Sequence, residues 1–150
     1  AMRKGFTLVE TLIVISVTAV LATVVFFNSF NFKRSQDLDF DAKTIVAVLR
    51  DAQQRAIVQE EDSAWGVYFN NLASGDYYEL FKGASCPGIM VSRKALKSSV
   101  EFVNPPANGC IQFGKLTGAP SGLNSIVIQI TGDPSSSKNI TVNPNGAISY

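Results

Sequence analysis

Few side chains in this sequence are of a type that does chemistry, and the most unusual placement belongs to Glu10. It lies in the run GFTLVETLIVISVTAVLATVVFF, with no other charge between Phe6 and Phe32. A carboxylate at membrane depth costs roughly 2.5–3.5 kcal/mol on insertion scales, so a plain apolar anchor has no use for it. The two cysteines are Cys86 and Cys110, and the chain has 0 histidines. Without histidine, two cysteines are too few for a zinc site. They read either as free buried thiols or, where the C-terminal part lies outside the cytoplasm, as a disulfide. That bridge would close a loop of about 25 residues, worth roughly 3 kcal/mol in the chain-entropy model. The lack of histidine also removes the commonest general base and the commonest metal ligand. No motif offers a nucleophile with a lysine or carboxylate base, a phosphate-cradling loop or a dinucleotide fingerprint.

Three further clusters invite a chemical reading, and each has a plainer one. Asp37, Asp39 and Asp41 have the D-x-D-x-D start of a calcium loop. The glycine and closing glutamate of that loop are missing, so a solvated acidic helix face is expected, with Asp37 and Asp41 together and Asp39 elsewhere. Trp65, Tyr68, Tyr77 and Tyr78 are explained more simply by cross-strand packing in a hairpin than by a ligand platform. Arg93, Lys94 and Lys97 form a small basic cluster, while the last forty residues hold only Lys115 and Lys138, too little charge for phosphate contacts. With 13 basic and 12 acidic residues and a net charge of +1, DNA is not an expected partner.

The elements that must position Glu10 come next. Ala1, ahead of Met2, reads as an added residue before the natural start. Arg3-Lys4 is a short basic stretch, and the run from Leu12 to Phe27 is broken only by Ser16, Thr18 and Thr23. With its flanks this reaches the ~20 residues that cross a bilayer. A cleaved secretory signal fits poorly, because no helix-breaking region precedes Val20-Leu21-Ala22 and apolar residues continue beyond it. A plain signal anchor fits the length but leaves Glu10 unexplained. The charges flanking the run, Arg3-Lys4 and Lys33-Arg34, do not set its orientation.

Lys4-Gly5-Phe6-Thr7-Leu8-Val9-Glu10 resembles the processing signature of type IV pilins and pseudopilins. That resemblance implies cleavage after Gly5 by a membrane-embedded prepilin peptidase and N-methylation of the new terminal residue, Phe6. Glu10 then occupies the fifth mature position, where the family carries its glutamate. Glu10 of one subunit would meet the Phe6 amine of a neighbour, an ion pair that offsets desolvation and fixes register. Further implied partners are other pilin subunits, an inner-membrane assembly platform and the lipid bilayer. Many major pilins carry proline near the twenty-second mature residue; this chain has Phe27 there and no proline before Pro87.

Apolar spacing continues past the membrane-length run. Leu8, Leu12, Ile15, Ala19, Ala22 and Phe26 step by four and three, and so do Leu38, Ala42, Ile45, Leu49, Ala52 and Ala56. Such a seam predicts a helix face meeting one partner surface. Glu60-Glu61-Asp62 opposes a helix C-terminus, so the helix should stop near residue 60. If continuous from Phe6 it is roughly 80 Å long.

Period-two alternation then predicts a hairpin from Trp65–Phe69 and Tyr77–Phe81. Shorter strands follow at Ile89–Ser92, Ser99–Val103 and Cys110–Phe113, then Ile126–Ile130 and Asn139–Val142, and a last one through Ile148. Turns are expected at Gly132–Ser137 and Asn143–Gly146. The fold class is therefore α+β: a long N-terminal helix packed on a C-terminal antiparallel sheet. Its parts are a leader (1–5), a transmembrane helix (6–32), an amphipathic continuation (33–62) and an extracytoplasmic β-rich part (63–150).

Phe113, Gly118, the Ile126–Ile130 and Ile140–Val142 strands, Gly146-Ala147-Ile148 and the Leu49–Ile57 segment are similar in order to the H-type (GspH/FimT-like) minor pseudopilins and minor pilins. This implies a structural, non-enzymatic subunit without a cofactor, held in the inner membrane and then assembled into a pseudopilus or pilus used in protein secretion. The alternative is a FimT-like binding module for DNA uptake or substrate capture. A third reading is an unrelated single-span protein with an external β domain.

Overall fold

The computed structural model of the chain describes residues 7–72 and 75–150. The chain divides into two compact units, Ala1–Lys33 and Arg34–Tyr150. Helix α1 (Leu8–Ile57) begins in the first and ends in the second. Within the second unit, here called the headpiece, the four-and-three seam Leu38, Ala42, Ile45, Leu49, Ala52 and Ala56 is buried throughout. The α-helix stops at Ile57, short of the boundary at residue 62 expected for the amphipathic segment. Gln59 turns the chain at φ 56°, and Glu60–Asp62 make a single 3-10 turn. Charge explains the stop. In the helix these acids would oppose the dipole; outside it each finds a cation. Glu60 pairs with Arg55 at 2.9 Å, Asp62 with Lys115 at 2.8 Å, and Glu61 with Lys82. The Ala56 carbonyl is capped by the amides of Gln59 and Leu116.

The strands are β1 (Trp65–Asn70), β2 (Tyr77–Lys82), β3 (Ile89–Ala95), β4 (Val100–Asn104), β5 (Gly109–Phe113), β6 (Pro120–Gly122), β7 (Ser125–Ile130), β8 (Asp133–Val142) and β9 (Ile148–Ser149). They form two antiparallel sheets rather than one, in the orders β3-β2-β1-β5-β6 and β4-β7-β8-β9. Inward residues alternate as the sequence predicts: Trp65, Val67 and Phe69 on β1, Ile126, Ile128 and Ile130 on β7. Together with the helix seam they make one core. Phe69 and Phe102 meet edge to face at 5.7 Å, joining the two sheets.

The expected turn at Gly132–Ser137 is mostly strand. Only Thr131 and Gly132 turn, and β8 starts at Asp133. Gln129 pairs Ser137 while Ile130 pairs Asp133, so the Pro-Ser-Ser stretch between is a bulge on an otherwise paired strand. The aromatics separate by face. Trp65 and Tyr78 are core residues, while Tyr68 and Tyr77 lie half-buried on the outer face opposite Glu79 and Asn70. Cross-strand packing, not a shared platform, is their role.

The acidic helix face is not solvated as expected. Asp41 is 3% exposed and accepts the Lys97 amide at 2.8 Å, and Asp37 accepts the Ser99 hydroxyl at 2.9 Å. Both pin the β3–β4 connection to α1, while Asp39 pairs with Lys43 and Lys138. Burial pushes the Asp41 carboxyl above its ordinary value. The fold therefore holds that proton more tightly than the unfolded chain does. This contribution is full below the ordinary aspartate range and is lost as pH rises through the raised value. Asp41→Asn, which keeps an acceptor for the Lys97 amide, should flatten that section of the stability–pH curve in thermal melts. An unchanged slope would refute the assignment.

Phe81 shares its face with Tyr77 and Glu79, yet it is fully buried. The loop Gly83–Gly88 folds back over it. A side chain on Gly66 would come within 2.7 Å of its ring, and one on Gly88 within 2.9 Å. Gln112 donates to the Gly83 carbonyl at 2.6 Å, and Cys86 is joined to Cys110 of β5. The disulfide thus staples this cover to the sheet. Replacing both cysteines by serine is predicted to lower headpiece stability by about 3 kcal/mol. Thermal melts of the full chain in detergent check this, and an unchanged Tm would contradict it.

Candidate functional site

The described part of the first unit is a helix whose apolar side chains are largely exposed. Leu8, Leu12, Ile13, Ile15, Val17, Val20 and Leu21 are all more than half exposed. Among the described residues α1 is one helix long and apolar enough to cross a membrane, its best window having mean hydropathy 2.4 and 0% buried. Its hydroxyls are satisfied within the helix. Ser16 donates to the Leu12 carbonyl at 2.8 Å, Thr18 to Val14 at 2.8 Å, and Thr23 to Val20 at 2.7 Å. Each polar interruption is thereby closed internally, as a hydrocarbon surrounding demands.

Glu10 lies in the first turn. Thr7 caps the helix, its hydroxyl oxygen accepting the Glu10 amide at 3.3 Å. Thr7-Leu8-Val9-Glu10 is thus a T-x-x-E capping sequence, with Glu10 at its third helical position. The sequence reading passed over this signal, although the spacing alone carries it. The helix start supplies a local reason for an acid here: near a helix N-terminus it contributes roughly 0.3–1 kcal/mol. Gly5 and Phe6, the expected processing residues, lie outside the described residues. Cys86 and Cys110, in the headpiece, are brought together; Asp37, Asp39 and Asp41 take separate partners. Among the described residues no cluster of His, Cys, Asp and Glu fit to hold a metal forms.

The family model described as the prokaryotic N-terminal methylation motif matches residues 1–26. Two crystal structures of the type IV minor pilin FimU of Pseudomonas aeruginosa, strain PAO1, share the fold. The form in space group P21 gives a TM-score of 0.58 at 14% identity, covering 79% of this chain and 90% of that one. The P65 form gives 0.54 at 14% identity, covering 75% and 90%. The chain thus carries the methylation motif at its N-terminus and has a fold like that of a type IV minor pilin. No curated protein matches it. Residues 8–26 of the motif match lie on the exposed helix.

Proposed function

We propose that this chain is a minor subunit of a type IV filament. Residues 1–5 are its leader, removed after Gly5 by prepilin peptidase, and Phe6 is then N-methylated. Residues 6–32 hold the subunit in the inner membrane until an assembly platform draws it into the filament. Residues 33–62 continue the stem, and 63–150 form its extracytoplasmic part. Glu10 pairs with the Phe6 amine of a neighbouring subunit. The observation that carries this reading is the exposed apolar helix with one acid in its first turn, within the residues that match the methylation motif. Apolar surface on that scale demands a cover, and a bilayer followed by neighbouring stems supplies one. FimU's being a type IV minor pilin supports a pilus setting over the H-type secretion pseudopilus. The test is recovery of the tagged chain in sheared filaments from cells that carry an assembly machinery. It should be present there and missing when the peptidase gene is deleted; equal recovery in both would refute the reading.

A further inference from the structure

Strand β3 differs from the other strands of the headpiece in that all of its residues are exposed. It is the edge of its sheet and pairs only with β2. The Leu96 amide donates to the Asp76 carbonyl at 3.0 Å, toward the β2 side. Strand amides alternate sides, so those of Ala95 and Arg93 face the open edge. Along that edge the side chains change character. Ile89, Met90 and Val91 are 66%, 53% and 45% exposed, and Arg93 and Lys94 follow them. Arg93 shares its charge with Glu79. Lys94 has no ion pair among those recorded for the described residues. Past Ala95, a groove of about 550 Å³ opens between the β3–β4 connection and the β1–β2 loop. Tyr77, Leu96, Phe102 and Lys97 are among its lining residues.

A bulge and basic residues are also how proteins guard an edge against self-pairing, and β3 has both. Such a guard is selective. It disfavours a second copy of the same basic strand and admits an acidic one. We propose that the open edge of β3 is a strand-addition site for an extended segment of a partner protein, acidic at its N-terminal end and apolar beyond. Seated antiparallel, the segment places its acids against Lys94 and Lys97 and its apolar residues against Val91, Met90 and Ile89. Backbone hydrogen bonds at the edge supply affinity, and this charge-to-apolar order supplies specificity. Nucleic acid would use the cations but neither the apolar half nor the edge amides. The proposal stands apart from membrane assembly, so either can fail alone.

The experiment is fluorescence polarisation with the full chain in detergent micelles. The probe is a labelled peptide of three acidic residues followed by alternating threonine and valine. Controls are the same peptide with lysines for the acids, and a labelled single-stranded oligonucleotide. Ala95→Pro removes an outward amide, a change edge strands tolerate, and Lys94→Glu reverses the charge. The acidic peptide should bind saturably, and both variants should weaken it about tenfold or more. Lack of saturable binding, equal binding of the lysine peptide, or wild-type binding by Lys94→Glu would overturn the proposal. So would binding of the oligonucleotide alone. If Ala95→Pro melts at a lower temperature, Lys94→Glu, a change at an exposed site, decides.

Discussion

Glu10→Gln and Glu10→Val are both expected to insert in the membrane normally and to fall to background in sheared filaments. The pair separates two explanations of the same acid. Glutamine serves in a capping sequence as glutamate does, so Glu10→Gln keeps the local helix start while removing the charge. Valine removes the charge and the side-chain acceptor, while the backbone amide that Thr7 accepts remains in both variants. The magnitudes also differ. The local effect of an acid at the helix start is about 0.3–1 kcal/mol. Breaking one side of a buried, hydrogen-bonded ion pair costs roughly 3–5 kcal/mol, because the other charge is left without its partner. If the pair with the Phe6 amine holds neighbouring stems in register, glutamine should fail nearly as completely as valine. Immunoblots of filament and membrane fractions decide the matter. Filament levels of Glu10→Gln matching the unaltered protein would leave the Glu10 charge without a part in assembly.

Trp65→Ala should be the most damaging single change in the headpiece. Trp65 is 1% exposed, its indole N–H donates to the Glu60 carbonyl at 3.0 Å, and the Arg55 guanidinium lies 4.9 Å from the ring centre. One side chain thus ties the end of α1, the 3-10 turn and the first strand together. Truncation leaves a large cavity and should cost about 3–5 kcal/mol. That is a large share of the roughly 5–15 kcal/mol that holds a domain folded. Trp65→Phe keeps most of the volume and loses the hydrogen bond, so its cost should be nearer 1 kcal/mol. Denaturant unfolding of both variants provides the check. A loss under about 1 kcal/mol for Trp65→Ala would show that the core closes over the gap.

Local order predicts much of this fold, and long-range contact accounts for the misses. The seam from Leu38 to Ala56 is legible because a helix meeting one surface must repeat at four and three residues. Trp65–Phe69 and Ile126–Ile130 are legible because a half-buried strand alternates. Asp133–Ser137 misleads because its proline and serines are turn residues by composition, while pairing with Gln129 and Ile130 draws them into a bulged strand. Phe81 falls on the outward side of β2 by alternation, and it is buried between Gly66 and the disulfide-held loop. Asp41 adjoins the seam at Ala42, and nothing local shows that its carboxylate will meet the Lys97 amide. At the N-terminus the difficulty is the reverse. The membrane-length run and the motif around Gly5, Phe6 and Glu10 are plain in the sequence. The cap that Thr7 gives the Glu10 amide is equally local, but it needs a helix start placed at Leu8 to be seen.

The measurement that bears most directly on the account is the intact mass of the protein extracted from membranes of cells that carry a prepilin peptidase. A chain beginning at Phe6 and carrying one added methyl group is the result expected. A chain that retains residues 1–5, or begins at any residue other than methylated Phe6, would contradict it. In that event Glu10 would have no terminal amine beside it to pair with.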